Sequence, residues 1–229
     1  MSLRVAFDMD GVLVDFTAAY RDIETRLFGV REPEGADRRG EEHDLVAVSN
    51  SSVRRNTRRK QRKAEAIWEV IRTTPDFWVA LKPIELNSVR RLYGLMIEHH
   101  WEVFFITRRP STCGDTVQRQ TQRWLHDQGF DMPSVLVMNG SRGGVATSLS
   151  LDYYVDDDAP NCVDLVSDSH ARSILIVDDD DTTTLASARR LGIATARNIE
   201  VALDILDRAS VARLQPRVLQ KLAHLVGWR

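Results

Sequence analysis

Cysteine is nearly absent from this chain. Its 229 residues contain only Cys113 and Cys162, too few and too unpatterned for a disulfide framework or a zinc site, so a reducing, cytoplasmic setting is the simplest expectation. Long apolar runs are missing too. Nothing approaches the roughly 20 apolar residues of a membrane span, and the first apolar run is interrupted by Asp8 and Asp10 before any cleavage-like site, which argues against a secretory signal. Neither sign of charge dominates: 31 Lys+Arg oppose 33 Asp+Glu for a net charge of -2, so no global basic field draws in nucleic acid. There is no internal repeat and no low-complexity linker. The 43% hydrophobic content suits a soluble globular protein, and the length fits one large domain or a domain with an insertion.

What is present is concentrated in Val5-Ala6-Phe7-Asp8-Met9-Asp10-Gly11-Val12-Leu13-Val14-Asp15. A short apolar run ends in two carboxylates at i, i+2, followed by a glycine that lets the backbone turn away. Asp-Gly is a common turn pair, but a turn alone does not require a second acid two residues upstream at the end of a buried strand. Two acids there are costly unless a cation lies between them. The pattern predicts a metal-assisted site.

Apolar residues at helical spacing predict a helix over Phe16–Phe28, stopped by Gly29. From Arg31 to Ser52 the composition turns polar and aperiodic, as in a surface loop. Arg54-Arg55-Asn56-Thr57-Arg58-Arg59-Lys60-Gln61-Arg62-Lys63 then packs seven basic residues into ten and runs into the apolar Ala64–Ile71, so one helix spans both. Such a run is either a solvated helix face or an electrostatic guide for phosphate-bearing substrates or nucleic acid. Pro75–Ile84 reads as an aromatic-lined return to the main body. Helices are expected at Ser88–His100, Thr116–Gln128, Ala146–Leu149 and Thr183–Leu191, and an amphipathic helical tail from about Ile199 is expected to break near Pro216. Strands are expected at Glu102–Thr107, Val135–Met138, Tyr153–Val155 and Ile174–Val177.

Short apolar strands alternating with helices predict an α/β fold, an open Rossmann-like, doubly wound parallel sheet. Ligands of such sheets sit beyond the carboxyl ends of the strands. The polar strand endings are Asp8/Asp10, Thr107, Asp156/Asp157 and Asp178–Asp181; the last set reads equally as a solvated loop.

Asp8-Met9-Asp10-Gly11-Val12-Leu13-Val14-Asp15 resembles the first motif of the haloacid dehalogenase-like superfamily of phosphohydrolases, Ile106-Thr107 its second, and Val155-Asp156-Asp157 its fourth. Within it, Phe77-Trp78-x-x-Leu81-x-Pro83 and the run from Ile106-Thr107-Arg108-Arg109-Pro110 through Trp124-Leu125 are most similar to the 5'(3')-deoxyribonucleotidases. The resemblance implies a core of residues 1–15 and 85–229 with a helical cap over 16–84, and hydrolysis of nucleoside monophosphates through an aspartyl-phosphate. It implies Asp8 as nucleophile, Asp10 as acid/base, Thr107 as a phosphate-binding hydroxyl, and Mg2+ held by Asp8, the Asp10 backbone carbonyl and Asp156, with Asp157 assisting. Asp15 is expected to brace the loop after the first strand.

The superfamily places a lysine before its fourth motif. This chain has only Lys60, Lys63, Lys82 and Lys221, none of them between Thr107 and Asp156. Arg142 is the expected substitute and Arg108 the runner-up, since Arg keeps the charge and grips phosphate bidentately. Phe28, Trp68, Phe77 and Trp78 are candidates for stacking on a base, set against the simpler reading of ordinary cap core. Two other functions fit the same motifs: a polynucleotide-end phosphatase or nucleic-acid-binding module using the 54–63 helix, and a phosphatase for a small metabolite.

Overall fold

The computed structural model describes residues 2–29 and 50–225, with the side chains of 2–28 and 58–213 among them. Strand β1 (Arg4–Asp8) is followed by helices α1 (Phe16–Phe28) and α2 (Asn50–Thr73), a single 3-10 turn at Phe77–Val79, and α3 (Leu86–Glu98). Then come β2 (Glu102–Thr107), α4 (Val117–Asp127), β3 (Ser134–Val137), α5 (Arg142–Ser148), β4 (Tyr153–Asp156), α6 (Ala159–Asp168), β5 (Arg172–Ile176), α7 (Thr182–Arg190), β6 (Ala194–Ala196) and α8 (Ile199–Leu225).

The strands form one parallel sheet in the order β3-β2-β1-β4-β5-β6. The connection from β3 crosses back over β2 and β1 to β4, so the winding reverses between β1 and β4, and loops leaving those two strands diverge to open a crevice. Val5, Ala6 and Phe7 of β1 and Tyr154 and Val155 of β4 are fully buried, which is why these strands read as continuous apolar runs.

Register then levels the polar strand ends. Asp8 pairs with Ile106, putting Thr107 one residue beyond it, and Phe7 pairs with Val155, putting Asp156 beside Asp8. With neighbouring strands about 4.8 Å apart, three residues distant in sequence meet at one edge.

Several boundaries differ from expectation. Helix α6 and strand β6 complete the βα alternation, and neither carries a strong period of its own. Helix α5 begins at Arg142, because Ser141 accepts a hydrogen bond from the Gly144 N–H and caps it. Gly143 in its first turn lies so close to α6 that a Cβ would meet the Asp168 Cβ at 2.5 Å, so this glycine marks a close helix contact and not a loop. The tail helix does not break near Pro216: α8 runs from Ile199 to Leu225, since a proline removes one backbone donor without forbidding the helix to continue. The expected Arg31–Ser52 loop lies outside the described residues up to position 49, and α2 begins at Asn50. Asp178–Asp181 follow β5 as an exposed run, and Asp181 accepts a hydrogen bond from the Thr184 N–H to cap α7. No described helix is long and apolar enough to cross a membrane.

Candidate active site

After β1 the chain folds back tightly. The Leu13 and Val14 N–H groups both donate to the Met9 carbonyl, and the Gly11 N–H donates to the Val14 carbonyl. Gly11 adopts φ +81°, and a Cβ there would lie 1.8 Å from Asp157 Oδ2. Glycine is therefore required twice over, for the left-handed backbone and for the approach of the β4 loop. Asp15 accepts a hydrogen bond from the Ala18 N–H and caps α1, the bracing role expected of it.

Asp8, Asp156 and Asp157 each bring a carboxylate oxygen to within 4.8 Å of the others. Asp8 and Asp156 are buried, whereas Asp157 keeps an open edge. Desolvation, with the nearby Asp156 charge, holds Asp8 well above the usual carboxylate range against the opposing pull of Arg142. Asp156 is also raised by burial, opposed by the Asp158 N–H and other donors. Asp157 is pushed to about 6 by partial desolvation and the Asp156 charge. The three acids crowd one another.

Arg142 enters from the first turn of α5, fixed by its own N–H donating to Asp164 Oδ2. Only 5% exposed, it extends Nη2 to 3.3 Å from Asp8 Oδ1 and Nε to 4.0 Å from Asp156 Oδ2. Its Nε and Nη1, and the Thr107 hydroxyl, are buried and make no hydrogen bond among the described residues. Unpaired buried donors are uncommon, and these three belong to the two residues that flank Asp8, Arg142 through its ion pair and Thr107 at the neighbouring strand end. Arg108, the runner-up, is exposed and lines a neighbouring cavity of about 680 Å³ with Thr112, Gln118 and Asn139.

Asp10 takes a different partner. Arg109 donates through Nε to Asp10 Oδ2 at 2.9 Å and through Nη2 to Oδ1 at 2.7 Å, a bidentate pair. Its Nη1 donates to Thr121 Oγ1 at 3.1 Å, and its Cζ lies 4.8 Å from the centre of the Trp78 ring, within cation–π range. In the sequence Arg109 is only one position of the Ile106-Thr107-Arg108-Arg109-Pro110 run, with no task of its own. Nothing in a run of two arginines says which one turns inward.

Trp78 and Phe77 are 1% and 7% exposed. The Trp78 backbone N–H donates to Gln120 Oε1 of α4 at 3.1 Å, and its indole N–H donates to the Pro110 carbonyl. The Trp124 indole N–H donates to the Leu81 carbonyl at 2.8 Å. The Phe77–Pro83 and Ile106–Leu125 segments are thus bonded to each other, and Phe77 and Trp78 are core residues. Trp68 is half-buried in a cluster with Phe16 at 5.6 Å and Tyr20 at 6.2 Å between ring centres. Phe28 is 41% exposed at the far end of α1.

The family of 5' nucleotidase, deoxy (pyrimidine), cytosolic type C proteins matches residues 2–189. No curated protein matches the chain. Among solved structures, a putative beta-phosphoglucomutase from Thermotoga maritima aligns over 90% of this chain and 99% of its own at 18% identity and TM-score 0.52, which supports the fold. A HAD-superfamily hydrolase from Ehrlichia chaffeensis covers 90% of this chain and 97% of its own at 10% identity and TM-score 0.47.

Proposed function

Because the chain belongs to the 5' nucleotidase, deoxy (pyrimidine), cytosolic type C family of haloacid dehalogenase-like phosphatases, we propose that it is a Mg2+-dependent phosphomonoesterase acting on nucleoside monophosphates. The observation that carries this reading is the convergence of Asp8, Asp156 and Asp157 with the unpaired donors of Arg142 and Thr107.

The donor set fits a hard divalent cation. Three carboxylates supply oxygen ligands, and a single arginine leaves their summed charge uncompensated. Asp8, Asp156 and Asp157 would hold Mg2+ with the Asp10 carbonyl, and the ion when bound would neutralise charge on the phosphoryl oxygens. Adding Mg2+ to about one hundred times its Kd is expected to stabilise the protein by about 2.7 kcal/mol. The measurement is the melting temperature with Mg2+ against chelator, and an Asp156→Asn variant with an undiminished shift would remove these ligands from the reading.

In the proposed reaction an Asp8 carboxylate oxygen attacks phosphorus as the bond to the nucleoside oxygen breaks, and Asp10 gives that oxygen its proton. Asp10 then takes a proton from water, which attacks the aspartyl-phosphate and frees phosphate and Asp8. Arg142 and the Thr107 hydroxyl would hold phosphoryl oxygens throughout. The neighbouring cavity, about 680 Å³, is within the range of small-molecule sites. Its Asn139, Gln118 and Thr112 offer hydrogen-bonding groups to a nucleoside, with Arg108 at its edge.

Residues 1–15 and 85–229 would form the core and 16–84 a helical cap, in which the Phe16, Tyr20 and Trp68 rings form an apolar wall. Arg109 would hold the Asp10 carboxylate in its working orientation. Arg109→Gln is expected to lower kcat by roughly 10–100-fold, the scale of a mispositioned acid/base group, with little change in KM. A rise in KM at unchanged kcat would instead make Arg109 a substrate-binding residue.

The primary test is phosphate release from a panel of nucleoside monophosphates and sugar phosphates, with Mg2+ or chelator. Preference for nucleotides supports the reading; turnover of sugar phosphates alone would favour a metabolite phosphatase.

A further inference from the structure

The catalytic reading leaves the basic end of α2 without a task. Arg58, Arg59, Arg62 and Lys63 line an open groove of about 390 Å³ with Ala66 and the Phe28 ring from α1. The spacing explains the convergence: Arg58 with Arg62, and Arg59 with Lys63, are i, i+4 pairs on adjoining strips of one helix surface. Like charges at that spacing destabilise a helix by a few tenths of a kcal/mol per pair, and a merely solvated face would interleave acids.

The two acids of α2 are committed elsewhere. Glu65, three residues beyond Arg62, pairs with Arg72 at 2.6 Å, and Glu69 pairs with the same arginine at 2.9 Å. Among the described residues none of the four groove cations has a carboxylate within 4.0 Å. Phe28 keeps 41% of its surface exposed in the groove, although Lys63 Nζ lies 4.8 Å from its ring centre.

We propose that this groove binds single-stranded nucleic acid, its four cations contacting phosphodiester oxygens and Phe28 stacking on a base. Three features select this occupant. Four cations suit a polyanion better than one phosphate group. Arg58, Arg59 and Arg62 are exposed, so the groove is open along its length, unlike a site that engulfs a small molecule. An accessible ring beside a cationic track suits unpaired bases, whose faces a duplex conceals. The groove lies on the same helix as Trp68, five residues beyond Lys63, at about 1.5 Å rise per residue. It does not depend on the phosphatase reading.

The test is fluorescence anisotropy with a labelled single-stranded DNA of about a dozen nucleotides and no terminal phosphate, on the full-length Asp8→Asn background so that nothing is turned over. Binding is expected at low salt and should weaken roughly 50-fold between 50 and 200 mM salt, the effect of four phosphate contacts on a single strand. Arg58→Gln with Arg62→Gln should halve the slope of log affinity against log salt. Phe28→Ala should weaken binding roughly tenfold while leaving the salt slope unchanged. In an otherwise wild-type protein, the Arg58→Gln, Arg62→Gln pair should leave nucleoside monophosphate hydrolysis unaltered and should not lower the melting temperature, since it removes a like-charge i, i+4 contact.

Absence of binding at low salt overturns the proposal, as does binding indifferent to both sets of changes. Displacement by a nucleoside triphosphate at concentrations below those of competing unlabelled strand would assign the groove to a free polyphosphate instead.

Discussion

Asp8→Asn is expected to lower phosphate release by about 10⁴-fold or more, the scale on which removing a nucleophile disables an enzyme whose remaining groups act with it. The amide keeps the shape of the carboxylate and can accept a hydrogen bond from Arg142, which approaches Oδ1 at 3.3 Å, but it cannot form the acyl phosphate. The variant should remain folded. Ionised Asp8 is disfavoured by burial and by Asp156, so a neutral isostere relieves crowding, and the melting temperature in chelator is expected at or above that of wild type. That separates lost chemistry from lost structure. The measurement pairs phosphate release with a melting curve, and a folded Asp8→Asn retaining more than about one per cent of activity would exclude Asp8 as nucleophile.

Arg142→Met is expected to lower kcat/KM by roughly 10²–10³-fold, the cost of removing a preorganised donor from developing charge. Among the described residues Arg142 is the only cation within 4.0 Å of Asp8 or Asp156. Its loss leaves buried acids without a counter-charge, an effect of about 3–5 kcal/mol for a broken buried pair. The variant should therefore melt earlier in chelator and recover part of the difference in Mg2+. Arg142→Lys restores the charge but not the planar fork, and should lie between Met and wild type in kcat/KM. If Arg142→Met stays within threefold of wild type, the positive partner of the phosphate is another residue, and Arg108 in the neighbouring cavity is the one to replace next.

These tests share a geometric cause. The buried charges around Asp8 come from four segments, and two further helices set their positions: α6, which receives the Arg142 and Gly143 N–H groups on Asp164, and α4, which supplies Thr121 to Arg109. Trp78 joins that second group to the core by lying against both Arg109 and α4.

The α/β alternation, the strand that ends at Asp8, and the strand ends that carry Thr107 and Asp156 are legible in the order of residues alone. Those features are local: apolar runs of strand length and helical repeats betray themselves within a few residues, and acids at the end of a buried run are conspicuous because burial penalises them. The single helix joining the basic run to Ala64–Ile71 was legible for the same reason, as α2 shows. Packing of the folded chain fixed which strand lies beside which, and with it the register that sets Asp156 next to Asp8. It also decided that Arg109 turns inward while Arg108 faces solvent, that Gly143 begins a helix pressed on α6, and that Phe77 and Trp78 belong to the core. Those outcomes depend on residues well separated in the chain: 12 positions for Arg109 and Thr121, 42 for Trp78 and Gln120, and 99 for Arg109 and Asp10. Pairing and packing across such distances leave no periodic trace in the chain, and the partner of Asp10 becomes known only once α4 and the 3-10 turn have closed around it.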